Sequence, residues 1–220
     1  MLEVPDLNKA LDYENNFYLS CHHTRISKIL AHCELYKMVN DLPGAVVECG
    51  VFKGASFCRF AAFRELFGHQ WSRKLIGFDI FGEFPETEFE DDVKFRERFI
   101  NNAGSESISD EQLMELLEVK KLHENVDLVK GDINQTVPAY VKEHPELKIS
   151  LLNLDTDIYE PAVTILKELY PRIVPGGILI LDDYGTFPGE TKAVDEYFKD
   201  KNIRIQKFPF AMTPAYLIKE

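Results

Sequence analysis

Ile149-Ser150-Leu151-Leu152-Asn153-Leu154-Asp155 and, one helix later, Gly177-Ile178-Leu179-Ile180-Leu181-Asp182-Asp183 decide how this chain reads. Each is an apolar run of strand length that stops abruptly in carboxylate. Near-continuous apolar runs suit strands covered on both faces, as in a parallel sheet between helices. In open sheets of that kind, ligands bind outside the carboxyl ends of the strands. If the two strands are neighbours, Asp155, Asp182 and Asp183 converge on one spot. Like charges that close repel one another and lose hydration unless a cation sits between them. The expectation is a hard divalent metal held by oxygen ligands at the floor of a cleft.

Working outward, the same βα rhythm recurs. Short apolar strands are predicted over Ala45–Cys49, Lys74–Phe78, Val126–Val129, Ile149–Leu154 and Ile178–Leu181. Helices are predicted over Ala55–Phe67, Glu160–Tyr170 (with Pro161 at its first position) and Lys192–Lys199. The chain then closes with Ile203–Phe208 and Ala215–Ile218, whose short connection calls for an antiparallel pair. Together these predict an α/β fold with a mostly parallel sheet and an antiparallel edge. Residues 1–44 read as an N-terminal arm and helix, and 45–220 as the main domain. In the arm, residues 1–23 are polar and irregular. From Thr24, Ile26, Ile29, Leu30, Cys33 and Met38 fall close to one helical face. Residues 81–124 exceed a simple crossover; they are acidic and aromatic and carry a capping box at Ser109-Asp110-Glu111-Gln112. An insertion of that length beside the carboxyl edge reads as substrate cover.

Composition narrows the function. Twenty-five basic against 37 acidic residues give a net charge of −12, the wrong sign for a nucleic-acid or anionic-membrane binder. No window resembles a transmembrane helix, and the N-terminus lacks a basic then apolar leader. Cys21, Cys33, Cys49 and Cys58 form no Cys-x-x-Cys pair and read as reduced thiols, the expectation for a cytoplasmic protein.

Val46-Val47-Glu48-Cys49-Gly50-Val51-Phe52-Lys53-Gly54-Ala55-Ser56 is a strand, a glycine turn and a helix start. It is neither G-x-G-x-x-G nor a P-loop. Glu48 would repel a diphosphate and suit a ligand bearing ammonium. Asp79, at the next strand end, is placed to accept from ribose hydroxyls. With Gly131-Asp132 these favour S-adenosylmethionine, which carries an amino group, a sulfonium and a ribose.

Val47–Ser56, Leu154-Asp155-Thr156-Asp157-Ile158-Tyr159-Glu160-Pro161, Pro175-Gly176-Gly177 and Leu181-Asp182-Asp183-Tyr184 together resemble the macrocin/mycinamicin-type O-methyltransferases. The resemblance spans roughly residues 24–200. It implies a class I methyltransferase (Rossmann-like) fold, S-adenosylmethionine, and a divalent metal, usually magnesium. Carried over, Glu48, Gly50, Ser56, Asp79 and Asp132 would line the cofactor, and Asp155, Asp182 and Asp183 would hold the metal. The acceptor it implies is a sugar hydroxyl on a nucleotide-linked deoxysugar or a glycosylated natural product, and the assembly a homo-oligomer. The spacings of 27 and 28 residues from Asp155 are similar to those of catechol-type metal-dependent enzymes. Those enzymes carry a basic lysine three residues after the first aspartate. Here that position is Ile158, which argues for a sugar diol over an aromatic one.

Candidate proton acceptors are Asp155, doubling as ligand, and Asp157, which reads equally well as a helix cap. The six histidines show no metal-ligand spacing, and His32 reads as a packing residue. Competing readings are an O-methyltransferase for a non-sugar diol or polyketide, a non-catalytic cofactor-binding scaffold, and a nicotinamide oxidoreductase. The missing G-x-G-x-x-G weighs against the last.

Overall fold

The computed structural model describes residues 3–220. In chain order the elements are α1 (Ala10–Ser20), α2 (His23–Met38), β1 (Ala45–Cys49), α3 (Ala55–Phe67), β2 (Leu75–Asp79), α4 (Glu90–Ala103), α5 (Asp110–Val119), β3 (Val126–Lys130), α6 (Ile133–Glu143), β4 (Ile149–Leu154), α7 (Tyr159–Glu168), β5 (Ile173–Leu181), α8 (Pro188–Phe198), β6 (Gln206–Lys207) and β7 (Ala215–Ile218). One seven-stranded sheet runs in the order β3-β2-β1-β4-β5-β7-β6. The first five strands are parallel, and β7 lies antiparallel to both β5 and β6. The predicted neighbours β4 and β5 are hydrogen-bonded partners, with Leu154 opposite Leu181. Asp155 and Asp182 therefore leave the sheet side by side.

Alternation along the strands builds two cores. Val47, Cys49, Leu152, Leu154, Leu179 and Leu181 face α6, α7 and α8. Val46, Leu75, Leu151, Ile178 and Ile180 face α2, α3 and α5. Because both faces are covered, the central strands are apolar at nearly every position, and their sequences read so cleanly for that reason. The exceptions are polar pairs across the sheet. Glu48 on β1 stands opposite Asn153 on β4, and Asn153 Nδ2 donates to Glu48 Oε1 at 3.1 Å. Burial pushes the Glu48 carboxyl up to about 7, against the pull of Ser56, Asn153 and Arg59.

Several predictions of local structure shift. Residues 10–20 are helical, not irregular, yet α1 buries no residue; Leu11 and Leu19 are exposed. The buried face of α2 runs through Ala31, His32, Leu35 and Tyr36, while Leu30 and Met38 lie outside. Its apolar residues cover more than one face, so spacing alone selects the wrong stripe. The strand expected at 203–208 shrinks to Gln206–Lys207, and β5 reaches back to Ile173 past a register shift. Pro161 is the third residue of α7, not the first.

The insertion is fastened by two carboxylates that bridge elements distant in sequence. Asp92, in the first turn of α4, is wholly buried. Its Oδ2 accepts from Tyr159 N–H at 2.9 Å and its Oδ1 from Gly189 N–H at 2.7 Å. One carboxylate thus closes the amino ends of α7 and α8, where unpaired N–H groups and the helix dipoles favour negative charge. A Cβ at Gly189 would stand 2.0 Å from Asp92 Oδ2, so no larger residue fits there. Reciprocally, Glu160 in α7 accepts from Thr87 Oγ1 and from the N–H groups of Glu88 and Phe89.

Two outcomes follow. Asp92→Asn leaves an N–H of Tyr159 or Gly189 facing an amide NH2, and is expected to cost about 1–3 kcal/mol in denaturant unfolding; an unchanged midpoint would show that the clasp is dispensable. For Glu48 the folded pKa lies above the unfolded one. Between pH 4.5 and about 7 the folded state binds the extra proton, so stability falls as pH rises through that window and is flat above it. Glu48→Gln should remove one proton's worth of that slope, on the order of 3 kcal/mol across the window.

Candidate active site

Every parallel strand delivers a polar residue to the same edge. Gly50 follows β1, Asp79 ends β2, Gly131-Asp132 follows β3, Asp155 follows β4 and Asp182-Asp183 follows β5. All of them line one cavity of about 770 Å³, together with Phe84 and Phe99 from the insertion and Phe187. That volume is in the range of small-molecule sites.

The floor is a cluster of carboxylates. Oxygens of Asp155, Asp157 and Asp183 lie within 4.8 Å of one another. Burial is the first cause of their raised pKa values, and mutual repulsion is the second: Asp182 acts on Asp155, Asp183 on Asp157, and Asp182 on Asp183. Asp157 takes a left-handed backbone conformation, φ 63°, which an aspartate tolerates better than most residues. It does not cap α7, because the N–H of Tyr159 is taken by Asp92. The fourth member, Asp182, was expected among the ligands, but turns its oxygens elsewhere. Its Oδ2 lies 2.5 Å from Lys28 Nζ and its Oδ1 3.7 Å from His32 Nε2. Burial pushes this carboxyl up, but Lys28 and then His32 outweigh it and hold it below the ordinary range. Beneath the floor, Glu190 is fully buried and accepts from the Asp183 N–H at 3.0 Å. Burial, then Asp183 and Asp182, keep its carboxyl well above its usual value.

Three carboxylates whose oxygens converge within 4.8 Å fit a hard divalent ion. The donor chemistry is all oxygen, and burial with mutual repulsion raises the pKa of each group even though Lys28 acts on Asp155 and Asp183 in the opposite sense.

The cofactor side is built around the glycine loop. Gly50 has φ 92°, and a Cβ there would sit 1.7 Å from the carbonyl oxygen of Asp155. The first glycine is therefore required by the close approach of two strand exits. Asp79 holds the loop in place: Oδ2 accepts from the N–H groups of Val51 and Phe52 at 2.8 and 2.9 Å, and Oδ1 from Phe81 N–H at 2.6 Å and Ser107 Oγ at 3.1 Å. These four donors match the four lone-pair sites of a carboxylate, leaving none spare for a ribose hydroxyl in this arrangement. Ser56 lines the cavity, whereas Glu48 does not; it lies wholly buried behind it. Asp132 lines the cavity and also caps α6, accepting from Asn134 N–H at 2.9 Å.

Sequence reasoning missed Lys28, His32, Glu190 and Asp92. Only Lys28 and His32 left a signal, a cation and an imidazole four residues apart on one helix.

With this geometry in view, comparison with known proteins is specific. The model of the macrocin O-methyltransferase (TylF) family matches residues 11–215. The 8-demethyl-8-(2,3-dimethoxy-alpha-L-rhamnosyl)-tetracenomycin-C 4'-O-methyltransferase of Streptomyces olivaceus is 29% identical over 157 residues, covering 70% of this chain and 58% of that protein. The mycinamicin III 3''-O-methyltransferase of Micromonospora griseorubida is 29% identical over 178 residues, covering 76% of this chain and 65% of the relative. The chain thus spans about three-fifths of the length of these curated relatives. A crystal structure of calicheamicin methyltransferase shares the fold with a TM-score of 0.79 and 28% identity, covering 99% of this chain and 86% of the other. The architecture is accordingly that of the class I methyltransferases, and no helix among the described residues is long and apolar enough to cross a membrane. A family match over nearly the whole length, on a sheet of the matching architecture, places this chain in the macrocin O-methyltransferase (TylF) family.

Proposed function

We propose that this protein transfers the methyl group of S-adenosylmethionine to a hydroxyl of a sugar-bearing small molecule, with a divalent cation, magnesium by preference, at the carboxylate floor. The observation that carries the reading is the convergence of Asp155, Asp157 and Asp183 in the same cavity as the glycine loop. Sugar acceptors are supported by two relatives, one named for a rhamnosyl tetracenomycin and one for mycinamicin III.

Methyl transfer from a sulfonium is a single displacement. The oxygen–carbon bond forms as the carbon–sulfur bond breaks, and the sulfur keeps the electron pair. The protein must therefore bring an oxygen nucleophile in line with the methyl group and remove its proton. In this reading Gly50, Ser56 and Asp132 border the cofactor and Asp79 acts through the loop it fastens. Asp155, Asp157 and Asp183 are the cation's donors, with Asp182 beside them in the grip of α2. A cation bound there supplies the charge that lowers the pKa of an acceptor hydroxyl. Asp155 and Asp157 are the groups placed to receive the proton, since both line the cavity. Phe84, Phe99 and Phe187 supply apolar lining to the same cavity.

Titration calorimetry should show S-adenosylmethionine binding; its absence would sink the reading. Methyl transfer onto sugar acceptors, followed by mass spectrometry, should be lost in EDTA and return with magnesium. Asp155→Asn and Asp157→Asn should each lower kcat by about 10²-fold or more while leaving the affinity for S-adenosylmethionine within a few-fold. Full activity in either variant would remove that residue from the proton path.

A further inference from the structure

The carboxylate floor already contains a cation of its own. Lys28 and His32 stand four apart on α2, so their side chains share one face. Together they grip a single carboxylate: Lys28 Nζ lies 2.5 Å from Asp182 Oδ2, and His32 Nε2 faces Asp182 Oδ1 at 3.7 Å. His32 is fully buried and stacks on Phe60, with ring centroids 5.1 Å apart. Its Nδ1 lies 2.9 Å from Arg59 Nη1. A guanidinium only donates, so Nδ1 accepts and the ring proton is on Nε2, the nitrogen aimed at Asp182. Neither His32 Nε2 nor Asp182 Oδ1 has another partner among the described residues. Lys28 reaches in from an element outside the strand-end set, and its side chain is only 19% exposed against 4% for Asp182.

We propose that Lys28 is a resident counter-ion of this floor, positioned by α2 and backed by His32 and Arg59. It keeps the carboxylates assembled when no divalent cation is bound, and it does so at the expense of metal affinity. The metal half of this inference rests on the reading of the floor as a cation site. A buried carboxylate left without a partner is strongly destabilising, and an ammonium in contact with it offsets that. The same positive charge repels a dication seated next to it among Asp155, Asp157 and Asp183. Lys28 is a positioning residue here; its ammonium is committed to Asp182 and takes no part in proton removal.

The test separates the two halves. In the metal-free protein, Lys28→Met keeps the apolar stem and removes the charge, and should lower Tm by about 5 °C or more. The same variant should bind Mg2+ about tenfold more tightly than wild type, read by calorimetry with magnesium chloride alone. Lys28→Arg should behave like wild type in both measurements. Adding Asp182→Asn to Lys28→Met should restore much of the metal-free Tm, because the carboxylate that Lys28 contacts is then neutral as well; this double variant also serves if Lys28→Met alone does not fold. An unchanged metal-free Tm, or Mg2+ affinity in Lys28→Met equal to or weaker than wild type, would overturn the proposal. If wild type binds no Mg2+ at all, the cation-site reading fails and takes the affinity claim with it, while the Tm comparison still decides whether Lys28 holds the floor together.

Discussion

Repulsion among buried carboxylates is the constraint around which this molecule is arranged. Two adjacent parallel strands, β4 and β5, exit in register and bring Asp155, Asp157, Asp182 and Asp183 into one pocket. Asp157 and Asp182 are buried, so hydration and screening do little to relieve their charges. The surrounding elements answer with opposite charge or with protons. α2 contributes Lys28 and His32, and Asp157, Asp183 and Glu190 hold protons more tightly than free carboxylates. The dication of the proposed reading would answer the charge on the remaining oxygens.

A second set of carboxylates works in the opposite way, as connectors. Asp79 fastens the glycine loop through four donors, Asp92 joins the amino ends of α7 and α8, and Glu160 returns the favour by holding the start of the insertion. Each accepts N–H groups that the backbone leaves unpaired at turns and helix starts. An acidic chain thus spends many of its carboxylates on its own main chain, and its net charge of −12 is a poor guide to what its cavity attracts.

The fold was largely legible because β1, β2, β4 and β5 are covered on both faces, and such strands write themselves as uninterrupted apolar runs. The capping box at Ser109 was legible for a local reason, since its two hydrogen bonds involve residues three apart. Asp155, Asp182 and Asp183 were legible because strand ends announce themselves. What escaped was long-range or depended on side-chain direction. Nothing near Asp92 signals that it meets Tyr159 and Gly189, 67 and 97 residues away. The bonds that Asp79 accepts from Val51 and Phe52 were not legible, because those donors lie in another loop. In α2 the stripe chosen by hydrophobicity missed the buried one, because apolar residues lie on more than one face of the helix and a buried histidine, His32, interrupts the true stripe.

The approach of Gly50 to Asp155 has a geometric consequence. In the proposed reading these residues belong to the two halves of the cavity, the loop that would border the methyl donor and the floor that would face the acceptor. Their contact is backbone against backbone, with no side chain at position 50 to trim or extend. On that reading the reach from donor to acceptor oxygen is set by the sheet itself, as a gauge block sets a gap. Diversification toward new acceptors has little room to act on that distance. It has to act on the wall opposite, where Phe84 and Phe99 ride on a segment held to the sheet domain by Asp92 and Glu160.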